Sequence, residues 1–162
     1  MPRSLILALV FVAGLLATAE AAPTIFLVRH AEKEHSFSAN QNNPPLSSAG
    51  RKRARALAFL LRDTHPVAIY VTEFARTQET AAPLAAAVRI RPTVLAAKAT
   101  SALAARLKQT RGCAVVVGHS NTIPEILHAL GVESQIKIAE TQYDNVFVVL
   151  PRPPPRLLRL HY

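Results

Sequence analysis

Apolar residues fall along this chain in two alternating rhythms. Unbroken runs at residues 25–28 (IFLV), 67–71 (VAIYV), 113–117 (CAVVV) and 145–150 (NVFVVL) are rich in β-branched and aromatic side chains. They read as strands, short enough to be covered on both faces. Between them, apolar positions recur every three or four residues. Ala54, Leu57, Ala58 and Leu61 form one such stripe, in a helix expected to open at a Ser47 or Ser48 cap and to end near Asp63. A second helix is expected from a Thr72 cap to about Val88, bent or shortened by Pro83. A modest third spans residues 101–109, with Leu103 and Leu107 inward. The fourth opens on a capping box of Thr122 and Glu125, lines Ile123, Ile126, Leu127 and Leu130 on one face, and stops at Gly131. Residues 93–95 suggest a short strand, and Leu157, Leu158 and Leu160 an edge strand after the stiff prolines of 151–155. Strands alternating with helices imply an α/β domain, three-layer α/β/α with a mostly parallel central sheet.

The first residues stand apart from this pattern. Arg3 precedes an apolar run over residues 5–17, and Ala19-Glu20-Ala21 has the small-x-small form of a cleavage site. Residues 1–21 are therefore expected to be a signal peptide, too short in its apolar part for a bilayer span, and residues 22–162 a single domain. A periplasmic or secreted protein with no stable membrane insertion after cleavage is the expectation. The 162 residues carry a formal net charge of +9, and removal of Arg3 and Glu20 leaves it unchanged. Such an excess favours anionic partners. The basic residues are not interleaved with aromatics that would stack bases, so nucleic acid is not expected. A lone cysteine, Cys113, excludes an internal disulfide and reads as a structural thiol.

The chemistry-bearing residues sit where strands should end. Arg29 and His30 follow the first run, Arg76 lies one turn into the helix after the second, and His119 follows the third. Ligands of open α/β sheets bind outside the carboxyl ends of the strands. If those strands are neighbours, two arginines and two histidines converge there. Guanidinium groups suit phosphate or carboxylate, and imidazole supplies a titratable nitrogen. Each residue has a plainer reading. His119 suits a satisfied strand-end histidine, and Arg76 an ion pair with Glu73 or Glu79 on its own helix. A metal site of His30, Glu32, His35 and His119 lacks the spacing of zinc proteases. The polar stretch of residues 33–45 reads as a loop crossing the same side of the sheet.

The segments LVRHAEK (27–33), PLSSAGRKRA (45–54), VTEFARTQET (71–80), VVVGHSN (115–121) and YDNVFVV (143–149) resemble, in order, the histidine phosphatase (phosphoglycerate mutase-like) superfamily. The Arg-His-Ala form followed by Glu-Lys is similar to its small single-domain branch. The resemblance implies a phosphatase acting on a small anionic phosphorylated substrate, without metal or other cofactor. His30 would attack phosphorus to give a phosphohistidine. Arg29, Arg76 and His119 would hold the phosphoryl oxygens, with Ser120 and the helix start at Asn121 adding donors. Relatives draw a proton donor from the segment after the second helix. Here residues 89–107 contain no acid, which leaves Glu32 and, second, Glu73 for that role. The alternative is an envelope protein that keeps an anion or phosphate pocket but has no effective general acid and no turnover.

Overall fold

In the computed structural model, which describes residues 23–34, 42–133 and 135–162, the apolar runs become one six-stranded sheet. The elements are β1 (Thr24–Arg29), α1 (Ser48–Leu61) with a 3-10 turn (Arg62–Thr64), β2 (Pro66–Thr72), α2 (Ala75–Val88), β3 (Thr93–Leu95), α3 (Thr100–Gln109), β4 (Cys113–Gly118), α4 (Thr122–Ala129), β5 (Asn145–Leu150) and β6 (Arg156–His161). The strand order is β3-β2-β4-β1-β5-β6. The first four strands in that order are parallel, while β5 runs antiparallel to β1 and β6 antiparallel to β5. The expected signal segment and most of the polar loop, His35 included, lie outside the described residues.

Alternation along the central strands divides the core in two. Ile25 and Leu27 of β1, with Ala114 and Val116 of β4, pack under α3 and α4 against Leu107, Ile123, Ile126 and Leu127. Val28, Val115 and Val117 face the other way, toward Leu57 and Leu61 of α1 and Leu84 of α2. Each buried Val, Leu and Ile side chain among them contributes about 1.5–3 kcal/mol of transfer free energy. That leaves three layers with the sheet as the middle one.

The helix starts depart from the expected caps in an informative way. Ser47 caps α1 as expected, its side chain accepting from Gly50 N at 3.1 Å. Gly50 is required there, since a Cβ would run into the carbonyl oxygen of Glu32. Thr72 does not cap α2. It remains in β2, with its hydroxyl turned to Thr77 and His119, and the first helical N–H is met from outside, Ala75 N donating to Asn43 Oδ1 at 2.8 Å. The capping box of Thr122 and Glu125 does not form either. The Thr122 hydroxyl accepts from His119 N at 2.9 Å, leaving Asn121 as a cap residue with no side-chain hydrogen bond. Nor does Pro83 shorten α2, which keeps 14 residues. Burial of Ala81 and Leu84 against α1 offsets the roughly 3 kcal/mol that an interior proline costs.

Candidate active site

Strand register brings the predicted residues together. Val71, Val117 and Val28 stand level across β2, β4 and β1, and Arg29 pairs with Gly118 one step further on. Neighbouring strands lie about 4.8 Å apart, so whatever follows these three ends shares one small volume.

His30 follows β1 directly and is 5 % exposed. Its Nδ1 lies 2.8 Å from the carbonyl oxygen of Ala31. A carbonyl only accepts, so Nδ1 carries the hydrogen and Nε2 keeps its lone pair. Burial is the main cause of a pKa lowered from 6.5 to about 3. The Ala31 hydrogen bond partly opposes the shift, and nearby His119, Arg76 and Arg29 reinforce it. The ring is thus neutral at physiological pH, with Nδ1 fixed as donor and the lone pair of Nε2 left free of a proton.

His119 stands beside it, the ring centroids 5.3 Å apart and nearly edge to face. Its Nε2 is 3.0 Å from Thr72 Oγ1, which is 2.9 Å from Thr77 Oγ1. Thr77 in turn donates to the Phe74 carbonyl at 2.8 Å. Following the hydrogens back along this chain, Thr72 donates to Thr77 and His119 Nε2 donates to Thr72. Burial again dominates in holding the His119 pKa down to about 4. Arg76 and Arg29 act in the same direction and Glu73 against it.

Arg29 is 2 % exposed and gripped by residues 139–143. Nη1 donates to the carbonyls of Ala139 and Gln142 at 2.8 and 3.3 Å, and Nη2 to Glu140 Oε2 at 2.6 Å. The Tyr143 ring lies 4.3 Å beneath the guanidinium. Nε is buried, with no hydrogen-bond partner among the described residues. Arg76 instead stacks on Phe74 at 4.3 Å. Burial, then Arg29, lowers its pKa, with Glu73 opposing. Glu79 is turned away to Leu46 N, so the helical ion pair considered for Arg76 does not form there. Ser120 donates to Glu140 Oε1 at 2.7 Å, and Asn121 sits exposed at the start of α4.

The carboxylates sort differently from the sequence reading. Glu32 is clasped by Arg53 on α1 through Nε and Nη2, at 2.7–3.0 Å. Burial pushes its pKa up, but the Arg53 hydrogen bonds win and hold it low. A carboxylate so held is a poor proton donor. Glu73 accepts from Ala97 N at 2.7 Å and acts electrostatically on both His119 and Arg76. Sequence reasoning gave no role to Glu140, Tyr143 or Thr77. The available signals were the places of Tyr143 in the YDNVFVV segment and of Thr77 in VTEFARTQET; Glu140 lies in a polar stretch without any pattern.

Residues 25–97, carrying Arg29, His30 and Arg76, match the family described as histidine phosphatase superfamily (branch 1). The matched family and the fold of the solved structures both support the histidine phosphatase superfamily. Solved structures agree on the fold. A candidate phosphohistidine phosphatase SixA from Agrobacterium tumefaciens is 21 % identical, with a TM-score of 0.69 over 86 % of this chain and 99 % of that one. A protein histidine phosphatase SixA complexed with tungstate is 15 % identical, with a TM-score of 0.66 over 85 % and 96 %. A mycobacterial glucosyl-3-phosphoglycerate phosphatase in complex with VO3 is 15 % identical, with a TM-score of 0.66 over 87 % and 98 %. No curated protein matches the sequence. Two guanidinium groups and two imidazoles gathered at the strand ends suit a tetrahedral oxyanion by charge and donor geometry.

Proposed function

We propose that this protein hydrolyses phosphomonoesters through a phosphohistidine on His30. The observation that carries the reading is the His30 Nδ1 hydrogen bond to Ala31 O, which leaves Nε2 unprotonated among Arg29, Arg76 and His119. In the first step Nε2 forms a bond to phosphorus as the ester P–O bond breaks, and the leaving oxygen takes a proton. In the second, water attacks phosphorus, the P–N bond breaks, and inorganic phosphate leaves. Arg76 and the Nη2 side of Arg29 oppose the charge that spreads over the phosphoryl oxygens. Positive side chains do that electrostatic work, which is why a metal-independent reaction is proposed.

Glu73 is the group assigned to protonate the leaving oxygen, since it bears on His119 and Arg76 while Glu32 is held by Arg53. The structural neighbours are named for a phosphoprotein and a phosphorylated sugar acid. What those substrates share is the phosphoryl group, so a small phosphorylated molecule is proposed here and its remainder left open. The signal-like residues 1–21 support the further proposal that the protein is exported and acts in the periplasm or outside the cell.

The test is turnover of p-nitrophenyl phosphate by wild type and His30→Ala, with trapping of an acid-labile, base-stable phosphoprotein. Loss of the nucleophile should cost roughly three orders of magnitude or more. Wild-type turnover by His30→Ala would refute the reading. Glu73→Gln should slow an alkyl phosphate far more than p-nitrophenyl phosphate, whose leaving group needs no proton.

A further inference from the structure

Glu140 is the unexpected occupant of the pocket. Its side chain is 78 % exposed, yet both carboxylate oxygens are engaged, one by the nearly inaccessible Arg29 and the other by Ser120. The turn that carries it is braced without it. Gln142 N donates to the Ala139 carbonyl at 2.9 Å, and Ala139 N to Gln142 Oε1 at 3.0 Å. The Glu140 side chain can therefore leave while the turn keeps its form.

The Arg29 guanidinium makes the exchange one-sided. Nη1 is committed to two main-chain carbonyls. Nε and Nη2 form the other edge, where parallel donors match two oxygens of an oxyanion. Glu140 meets Nη2 and leaves Nε buried and, among the described residues, unpaired. An unpaired buried donor costs about 1–3 kcal/mol, and a tetrahedral oxyanion spanning both nitrogens would remove that penalty. The Ser120 hydrogen bond and the Arg29 charge hold the Glu140 carboxyl below its usual range, so it is an anion when it sits there.

We propose that Glu140 is an internal competitor, a carboxylate standing in for one phosphoryl oxygen on Arg29 and another on Ser120 that the substrate must displace. The proposal deepens the phosphatase reading and rests on it for the identity of the displacing group. It makes Glu140 a determinant of affinity and selectivity. Ligands offering a single oxygen gain little over the resident carboxylate, whereas those able to fill the whole Nε–Nη2 edge and reach Arg76 replace it.

The experiment is calorimetric titration of the full chain with sulfate, which is not turned over, for wild type, Glu140→Gln and Glu140→Ala. Loss of the competitor should tighten sulfate binding on the order of tenfold in Glu140→Ala, the worth of one charge-assisted hydrogen bond. Glu140→Gln should fall between. The KM for p-nitrophenyl phosphate should drop in parallel. Unchanged or weaker sulfate binding in both variants would overturn the proposal and make Glu140 a positioning residue for Arg29. Tighter sulfate binding in an enzyme that turns over no phosphomonoester would uphold the competitor and sink the phosphatase reading. Absence of sulfate binding in all three proteins would sink both.

Discussion

Two buried neutral histidines make the fold sensitive to acid in a calculable way. His30 and His119 are held near 3 and 4, against 6.5 for an unperturbed side chain. A depressed histidine pKa means that the unfolded chain binds the proton first, so stability falls as pH drops below about 6.5 and keeps falling until the folded-state values are reached. Between pH 7 and pH 5 each imidazole takes up most of a proton on unfolding and almost none in the folded protein. The loss is about 2 kcal/mol per histidine, or about 4 kcal/mol for the pair, a large share of the roughly 5–15 kcal/mol that holds a domain together. Urea unfolding followed by circular dichroism measures this directly, and fluorescence is unsuitable because the chain has no tryptophan. His30→Gln should lose only about 2 kcal/mol over the same interval, whatever its starting stability, because one titrating site is gone. If wild type and His30→Gln lose the same amount, the burial argument for a neutral nucleophile is wrong.

Three further substitutions probe the supports of the site. Thr72→Val keeps the shape of β2 but leaves the His119 Nε2 hydrogen without its acceptor, and should cost about 1–3 kcal/mol. Turnover should fall with it, and Thr72→Ser should restore both, by thermal melting and steady-state assay. Gly118→Ala places a Cβ 2.9 Å from Thr122 Oγ1, the group that holds His119 N; it should destabilise by about 1–3 kcal/mol and reduce kcat. Glu32→Gln breaks a partly exposed pair with Arg53 and should cost under about 1 kcal/mol with little change in turnover. A loss of roughly a hundredfold or more would restore Glu32 as the acid.

Much of this arrangement was legible from pattern. The β-branched runs gave every central strand, and the fact that Arg29, Arg76 and His119 each follow one of those runs gave the convergence. The errors share a physical origin. Thr72 and Thr122 are good cap residues by local chemistry, but each hydroxyl has a tertiary claimant, His119 Nε2 for one and His119 N for the other. Glu32, two places from His30, looked available because Arg53 is 21 residues away in sequence and directly adjacent in space. Glu140 and Tyr143 reach Arg29 across more than 100 residues of chain. Nothing local marks such contacts, because what fixes them is the return of the chain from α4 into β5 beside β1.

The level ends of β2, β4 and β1 also bear on how such a protein can change. Main-chain hydrogen bonds fix the spacing of those ends, so the width of the cradle is a property of backbone geometry and resists side-chain substitution. The turn at residues 139–143 belongs to no strand or helix. Mutation can therefore rework what gains entry while the dimensions of the reaction centre stay constant, and new specificities should arise through that rim first.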